Sequence, residues 1–219
     1  MALLALLFAC TPDPTGAFAL SFEGAPNCAR IDTAGELVPT DFTVELWVRG
    51  SATGERIHPL VAWTGAFVMV EDQTGTLYFH VGEDDGPSYS TSVLDGVTHH
   101  IAATYAGGDG NTVLYIDGTA VGNATALLAE KIADEVQLGC NDDATQGWEG
   151  LIDELRVSSV NRYEDDFTVP DAAYDADDDT IALFHLDEGT GKEFASDGGG
   201  WKGTVSGAGW VSFDIPSEK

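Results

Sequence analysis

Between Thr98 and Val157 the chain reads as short segments in which apolar and polar residues alternate, joined by turns built from Gly and Asp: THHIAATYAGGDGNTVLYIDGTAVG, and further on VQLGCNDDATQGWEGLIDELRV. A period of two sends successive side chains to opposite faces, which specifies strands half buried against a core. Asp-Gly and Gly-Gly turns return each strand beside the last. The same pattern is clearest in DFTVELWVRG (41–50), where Phe42, Val44, Leu46 and Val48 share one face and Thr43, Glu45, Trp47 and Arg49 the other. Strands at this spacing close into two antiparallel sheets packed face to face, so the expected fold is an all-β sandwich of jelly-roll type with little helix.

At 219 residues the chain has length for one large sandwich with a full core. Asp and Glu number 37 against 9 Lys and Arg, a formal charge of −28. That field repels nucleic acid and anionic membrane surfaces and is compatible with cations, neutral glycans and basic protein patches. The N-terminus, MALLALLFAC, carries an apolar run too short to span a bilayer as a helix but suited to a secretory leader. Leu7-Phe8-Ala9-Cys10 resembles a bacterial lipobox, with Cys10 as the lipidated residue; an ordinary signal peptide with an incidental Cys is the other reading. The expected organisation is a signal peptide over 1–9, a lipidated Cys and tether over 10–16, one jelly-roll domain over 17–213 and a tail over 214–219. Localisation follows as an outer-membrane or surface lipoprotein, else a secreted or periplasmic protein, touching a membrane only through the lipid. Without Cys10, an even pair remains, Cys28 and Cys140, expected as a disulfide in an oxidising space, with two buried free thiols as the alternative. The stretch from Asn161 to Asp179 is acidic and irregular and reads as a loop or wrap-around arm.

The ordered set ALSFEG (19–24), DFTVELWVRG (41–50), HHIAATYAGG (99–108), LYIDGTAVG (114–122), VQLGC (136–140) and GLIDELRVSSVNRY (150–163), followed by IALFHLDEGTG (181–191) and GTVSGAGWV (203–211), resembles the laminin-G-like, concanavalin A-like jelly rolls, in particular their bacterial LamG/pentraxin-like branch. The resemblance implies a secreted recognition or adhesion module, non-catalytic, that binds carbohydrate or protein and often carries one calcium ion near the sandwich edge. It names no ligand.

Asp153 lies in Leu151-Ile152-Asp153-Glu154-Leu155-Arg156-Val157, where strict alternation places it on the face of Leu151, Leu155 and Val157. A carboxylate there requires a partner: a cation, Arg156 or backbone N–H groups. The resemblance implies a structural Ca²⁺ held by Asp153 together with the Glu23-Gly24 turn. Asn141, Asp142 and Asp143 follow a strand, where relatives carry ligand groups, and Trp148 is the Trp expected to face a ligand; for every Trp, core packing is the competing role. Asp175, Asp177 and Asp179 imitate the start of an EF-hand loop, but Thr180 stands where Gly is required and Leu186 where the closing Glu belongs, so a solvated turn is expected. His99 and His100 are adjacent and point to opposite faces of a strand, which excludes a shared metal.

No nucleophile elbow, phosphate loop or metalloprotease helix is present, and Glu83-Asp84-Asp85-Gly86-Pro87 breaks where a glucanase strand would continue. The expected function is binding of an extracellular glycan or protein. The alternatives are a divergent sandwich glycoside hydrolase or polysaccharide lyase, and a structural envelope protein.

Overall fold

The computed structural model describes residues 18–33, 40–51, 57–82, 86–90, 92–128 and 132–213. The expected leader, Cys10, the tether, Ala17 and the tail from residue 214 lie outside the described residues, as do Glu83, Asp84 and Asp85. In chain order the strands are β1 (Phe18–Glu23), β2 (Cys28–Asp32), β3 (Asp41–Ser51), β4 (Ile57–Trp63), β5 (Phe67–Asp72), β6 (Leu77–Val81), β7 (Ser88–Tyr89), β8 (Asp95–Ala106), β9 (Asn111–Ile116), β10 (Thr119–Thr125), β11 (Glu135–Leu138), β12 (Glu149–Ser158), β13 (Thr180–Phe184), β14 (Glu193–Ala195), β15 (Lys202–Ser206) and β16 (Gly209–Ser212). They form two antiparallel sheets. Sheet A runs β10-β9-β8-β3-β12-β1-β16, with β13 also on β12; sheet B runs β14-β15-β2-β11-β4-β5-β6-β7. The first and last strands are neighbours, Phe18 opposite Ser212.

Alternation decides the core. Phe42, Val44, Leu46 and Val48 of β3 turn inward as expected and meet Ala29, Ile31, Val136, Leu138, Leu60 and Val61 of sheet B. Trp63 and Trp201 meet edge to face at 5.0 Å between the sheets, and both are buried. Side chains of this size contribute about 1.5–3 kcal/mol each when taken out of water. Strands from the C-terminal quarter complete both sheets of the same sandwich.

The outer face of sheet A is not left to solvent. The segment from Ser159 to Asp179 crosses it without regular structure, as an arm. Tyr163 and Phe167 of the arm stack at 3.6 Å and pack against Tyr115, and Tyr174, further along the arm, packs beside His100. At the centre sits Glu45, fully buried. Its Oε1 accepts from Arg156 Nε at 2.8 Å, its Oε2 accepts from Tyr163 OH at 2.7 Å, and His100 Nε2 stands 3.3 Å from Oε2 and 2.5 Å from Tyr174 OH. The Arg156 guanidinium also lies over the Tyr174 ring, 4.0 Å from its centroid. Burial pushes the Glu45 carboxyl up, but the His100 hydrogen bond and the Arg156 charge outweigh it, and the group is held below its usual range. Trp47 shares this covered face at 6% exposure, so it packs rather than lining a groove. The far end of the arm is pinned by Asp177, whose two oxygens accept from Arg162 at 2.8 and 2.6 Å. The EF-hand-like run is therefore a surface turn with one anchoring member.

Candidate functional site

With sheet A covered, the outer face of sheet B remains to be built from its strands. A bulge between Pro59 and Val61 lets Leu60, Val61 and Trp63 enter the core while Ile57, Pro59, Ala62 and Thr64 border a surface cleft. The opposite wall is the loop that follows β11: Asn141, Asp142, Asp143 and Gln146. The cleft holds about 550 Å³. Three of the four residues expected to meet a ligand thus share one concavity.

The loop is clamped at its base. Cys28 and Cys140 are joined by a disulfide, Cα atoms 5.2 Å apart, which settles the pairing expected from the cysteine count. Cys140 bridges Gly147, Gly139 donates its N–H to Leu60 O at 2.7 Å, and Trp148 N–H donates to Gly139 O at 2.9 Å. Gly139 has φ +72°, and a Cβ there would enter the Phe22 ring, so no other residue fits this corner. Above the clamp the loop bonds to itself. Gln146 N–H donates to Asn141 Oδ1 (2.9 Å), Asn141 Nδ2 to Thr145 Oγ1 (3.2 Å), and both Thr145 N–H and Oγ1 to Asp143 Oδ1 (3.1 and 2.6 Å). These bonds hold the Asp143 carboxyl below its ordinary range. Arg30 fastens the wall from the side: NH2 donates to Asp142 O at 2.7 Å while NH1 pairs with Glu135 at 2.6 Å. Asn141 is thus an internal brace, and Asp142 and Asp143 are the exposed carboxylates of the rim.

Trp148 does not face a ligand. It is 0% exposed, its Nε1 donates to Leu151 O, and Gly50 leaves the space its ring fills. The bridge at Gly147 turns the following residue inward, which loop position alone does not reveal.

Asp153 also departs from expectation. Glu154 adopts φ +49° and the register shifts between Asp153 and Arg156, so Asp153 shares the outer face with Leu151, while Leu155 and Val157 turn to the core with Ile152. The shift falls where β12 exchanges partners, from β1 along its first half to β13 along its second. Backbone groups freed at this junction are taken up by carboxylates: Phe18 N–H donates to Asp187 Oδ1 and Tyr174 N–H to Glu154 Oε2. His185 Nδ1 lies 2.6 Å from Glu154 Oε1. Asp153 itself is 4% exposed, its Oδ1 has no hydrogen-bond partner among the described residues, and Arg156 is engaged by Glu45 rather than by it.

Glu23 and Asp153, expected to share a calcium ion, stand apart in this structure. Glu23 lies opposite Glu149, four residues along β12 from Asp153, or roughly 13 Å at ~3.3 Å per residue. Gly24 packs on Glu149, Glu23 is exposed, and among the described residues no group of three or more His, Cys, Asp or Glu is arranged to hold a metal ion. Burial, then the charges of Glu154 and Asp187, push Asp153 up to about 9, so it is a neutral acid at pH 7.

A pH prediction follows. The unfolded Asp ionises near 3.8 and the folded one near 9, so between these values the folded state binds the extra proton and stability declines as pH rises. His185, raised to about 9 first by its Glu154 hydrogen bond, adds stability that is complete below 6.5 and lost as pH rises through 9. Asp153→Asn removes the first contribution: its melting temperature should equal the parent's near pH 4 and exceed it increasingly toward pH 9, with no response to a chelator. A variant less stable than the parent at every pH, or a parent stabilised by added calcium where the variant is not, contradicts the assignment.

Sequence reasoning missed Pro59, Ala62, Thr64 and Gln146 as cleft residues, because their meeting depends on a bulge and on β4 pairing with β11. A Pro inside an apolar strand segment was the available sign of irregular pairing.

A model of the concanavalin A-like lectin/glucanases superfamily matches residues 25–168. A search of curated proteins finds no match. Among solved structures, a protein from Bacteroides ovatus to which carbohydrate binding is ascribed superposes with TM-score 0.69 at 17% identity, covering 92% of this chain and 61% of its own. The heptameric SAP-like pentraxin of Limulus polyphemus superposes with TM-score 0.53 at 16% identity, over 78% of this chain and 97% of its own. The CBM40 module of the Ruminococcus gnavus IT-sialidase, bound to α2,6 sialyllactose, gives TM-score 0.52 at 13% identity, over 67% and 92%. This chain spans about three-fifths of the length of the Bacteroides protein.

Proposed function

The chain belongs to the concanavalin A-like lectin/glucanases superfamily, and we propose from this that it is an exported, non-catalytic module that binds carbohydrate in the cleft between β4 and the Asn141–Gln146 loop. The observation that carries the reading is the contrast between the two outer faces. The arm covers the middle of sheet A and leaves a smaller concavity of about 410 Å³ at its β9–β10 edge, whereas sheet B presents a concavity walled by a loop already fixed by a disulfide and its own hydrogen bonds. A fixed wall loses little conformational entropy on binding. Apolar Ile57, Pro59 and Ala62, with Thr64 beside them, face polar Asp142, Asp143 and Gln146 across it, a lining that matches the apolar faces and hydroxyl edges of a sugar ring.

Catalysis is not supported by the same residues. Glycoside hydrolysis needs one carboxyl kept protonated to donate to the leaving oxygen. Asp143 is held ionised by Thr145, and the carboxyl pushed up strongly, Asp153, is buried on the other sheet. Export is supported by the disulfide, which persists in oxidising compartments.

The reading is tested on a glycan array followed by calorimetry. The parent protein should bind a saccharide without releasing reducing ends, and Asp143→Ala should weaken binding at least about tenfold while the protein remains folded at the assay temperature. Release of product would move the chain to the glycosidases. Binding indifferent to Asp143→Ala and Thr64→Ala would remove the cleft from consideration.

A further inference from the structure

Strand register lays a straight row of residues across the outer face of sheet B. Glu193 is opposite Thr204, Thr204 opposite Arg30, Arg30 opposite Gln137, and Gln137 opposite Ala62. Inward neighbours on the same strands, Phe194, Val205, Ile31, Val136 and Val61, belong to the core, so every member of the row lies on the outer side, where Gln137 and Ala62 are only 4% and 6% exposed. Four strand spacings of ~4.8 Å make the row roughly 19 Å long.

One end of the row is the cleft at Ala62. At the other end Glu193, Ala195, Lys202 and Thr204 of β14 and β15, with Glu188 and the edge of Phe194, border a second concavity of about 510 Å³. Between the two, Arg30 is held flat by Glu135 and the Asp142 carbonyl, and Gln137 keeps a buried Oε1 that no described group satisfies. The second concavity is made of residues 188–204, outside the 25–168 that the superfamily model matches.

We propose that the β14–β15 concavity is a second saccharide site, and that a linear oligosaccharide lies across the strands from Asp143 to Lys202, passing over Arg30 and Gln137. This rests on the carbohydrate reading of the first cleft and extends it from one sugar-sized site to a chain. Joined sites on one ligand make the second contact intramolecular, so affinity must climb with chain length until both ends are filled and then level off. The charged groups along the path are of both signs with carboxylates in excess, Arg30 and Lys202 against Asp32, Glu135, Asp142, Asp143, Glu188 and Glu193, which suits a neutral chain rather than a polyanion.

The test is calorimetry with neutral linear cello-, xylo- and manno-oligosaccharides, each from disaccharide to hexasaccharide, against the parent chain, Asp143→Ala, Ala195→Trp and Lys202→Glu. Ala195 and Lys202 are exposed, so neither change should alter the melting temperature, and two variants of different character guard against one that perturbs its strand. The expected result is affinity rising at least about tenfold between disaccharide and hexasaccharide in one series. Ala195→Trp and Lys202→Glu should abolish that rise and leave disaccharide binding intact, while Asp143→Ala weakens every length. Affinity flat with length, or a length dependence untouched by both β14–β15 variants, overturns the second site and leaves the first cleft standing. No binding at any length, with Asp143→Ala silent on the array as well, overturns the carbohydrate reading itself.

Discussion

Glu45→Gln should lower stability by about 3–5 kcal/mol, the cost of leaving a buried cation without its counter-charge. For a chain of this length that is a fall in melting temperature of about 6–20 °C. The amide keeps the shape of the side chain and can still accept a hydrogen bond, so what disappears is the negative charge facing Arg156, which is 8% exposed, and His100, which is fully buried. The pH profile separates this from a packing defect. Glu45 is held below its ordinary 4.5, so its stabilisation is complete above that value and is lost as pH falls through the lower folded value. The gap between parent and variant should therefore be widest near neutrality and close in strong acid. Replacing Glu45 and Arg156 together by Met should recover much of the loss, since an apolar pair of similar volume removes both desolvated charges. A single variant within about 2 °C of the parent, with an identical acid limb, would mean that Glu45 is solvated and the arm is loosely held.

Reduction of Cys28–Cys140 should be of comparable size. The bond closes a loop of sequence separation 112, and chain entropy alone predicts about 4–5 kcal/mol for a loop that long, within a measured range of about 2–5 for native disulfides. Thermal unfolding with and without reductant, alongside Cys28→Ala/Cys140→Ala, should show the reduced protein and the variant coinciding well below the parent. Because Cys140 begins the cleft wall, saccharide binding should weaken below the melting point as well, as the loop regains freedom it must then surrender. Coincident melting of parent and variant would mean that β2 and β11 hold their register without the bond.

How far these residues were legible beforehand follows from physical range. DFTVELWVRG declares its inward face because side-chain alternation is local, and Phe42, Val44, Leu46 and Val48 obey it. Asn141 to Asp143 were legible as a loop after a strand, and the cleft forms there. Glu45 and His100 were not, since alternation assigns them to a solvent face and only an arm more than a hundred residues beyond Glu45 shows that the face is covered. Asp153 was half legible: a carboxylate among apolar neighbours signals an unusual environment, but the left-handed Glu154 that redirects it has no local signature, because nothing in Asp-Glu-Leu demands positive φ. The row from Glu193 to Ala62 was beyond reach, as it joins five strands that only sheet order brings together.

The pairing of Phe18 with Ser212 has an engineering corollary. Both ends of the described chain leave from one corner of sheet A, at its β1–β16 edge, so a short hydrophilic connector could join them and new ends could be cut at a distant exposed turn such as Gly107–Asp109. A rearranged gene of that kind would keep every strand pair and both concavities of sheet B. It would also move the two ends from the β1–β16 corner to the far end of β8, so that a fused partner would sit at the opposite end of the sheet.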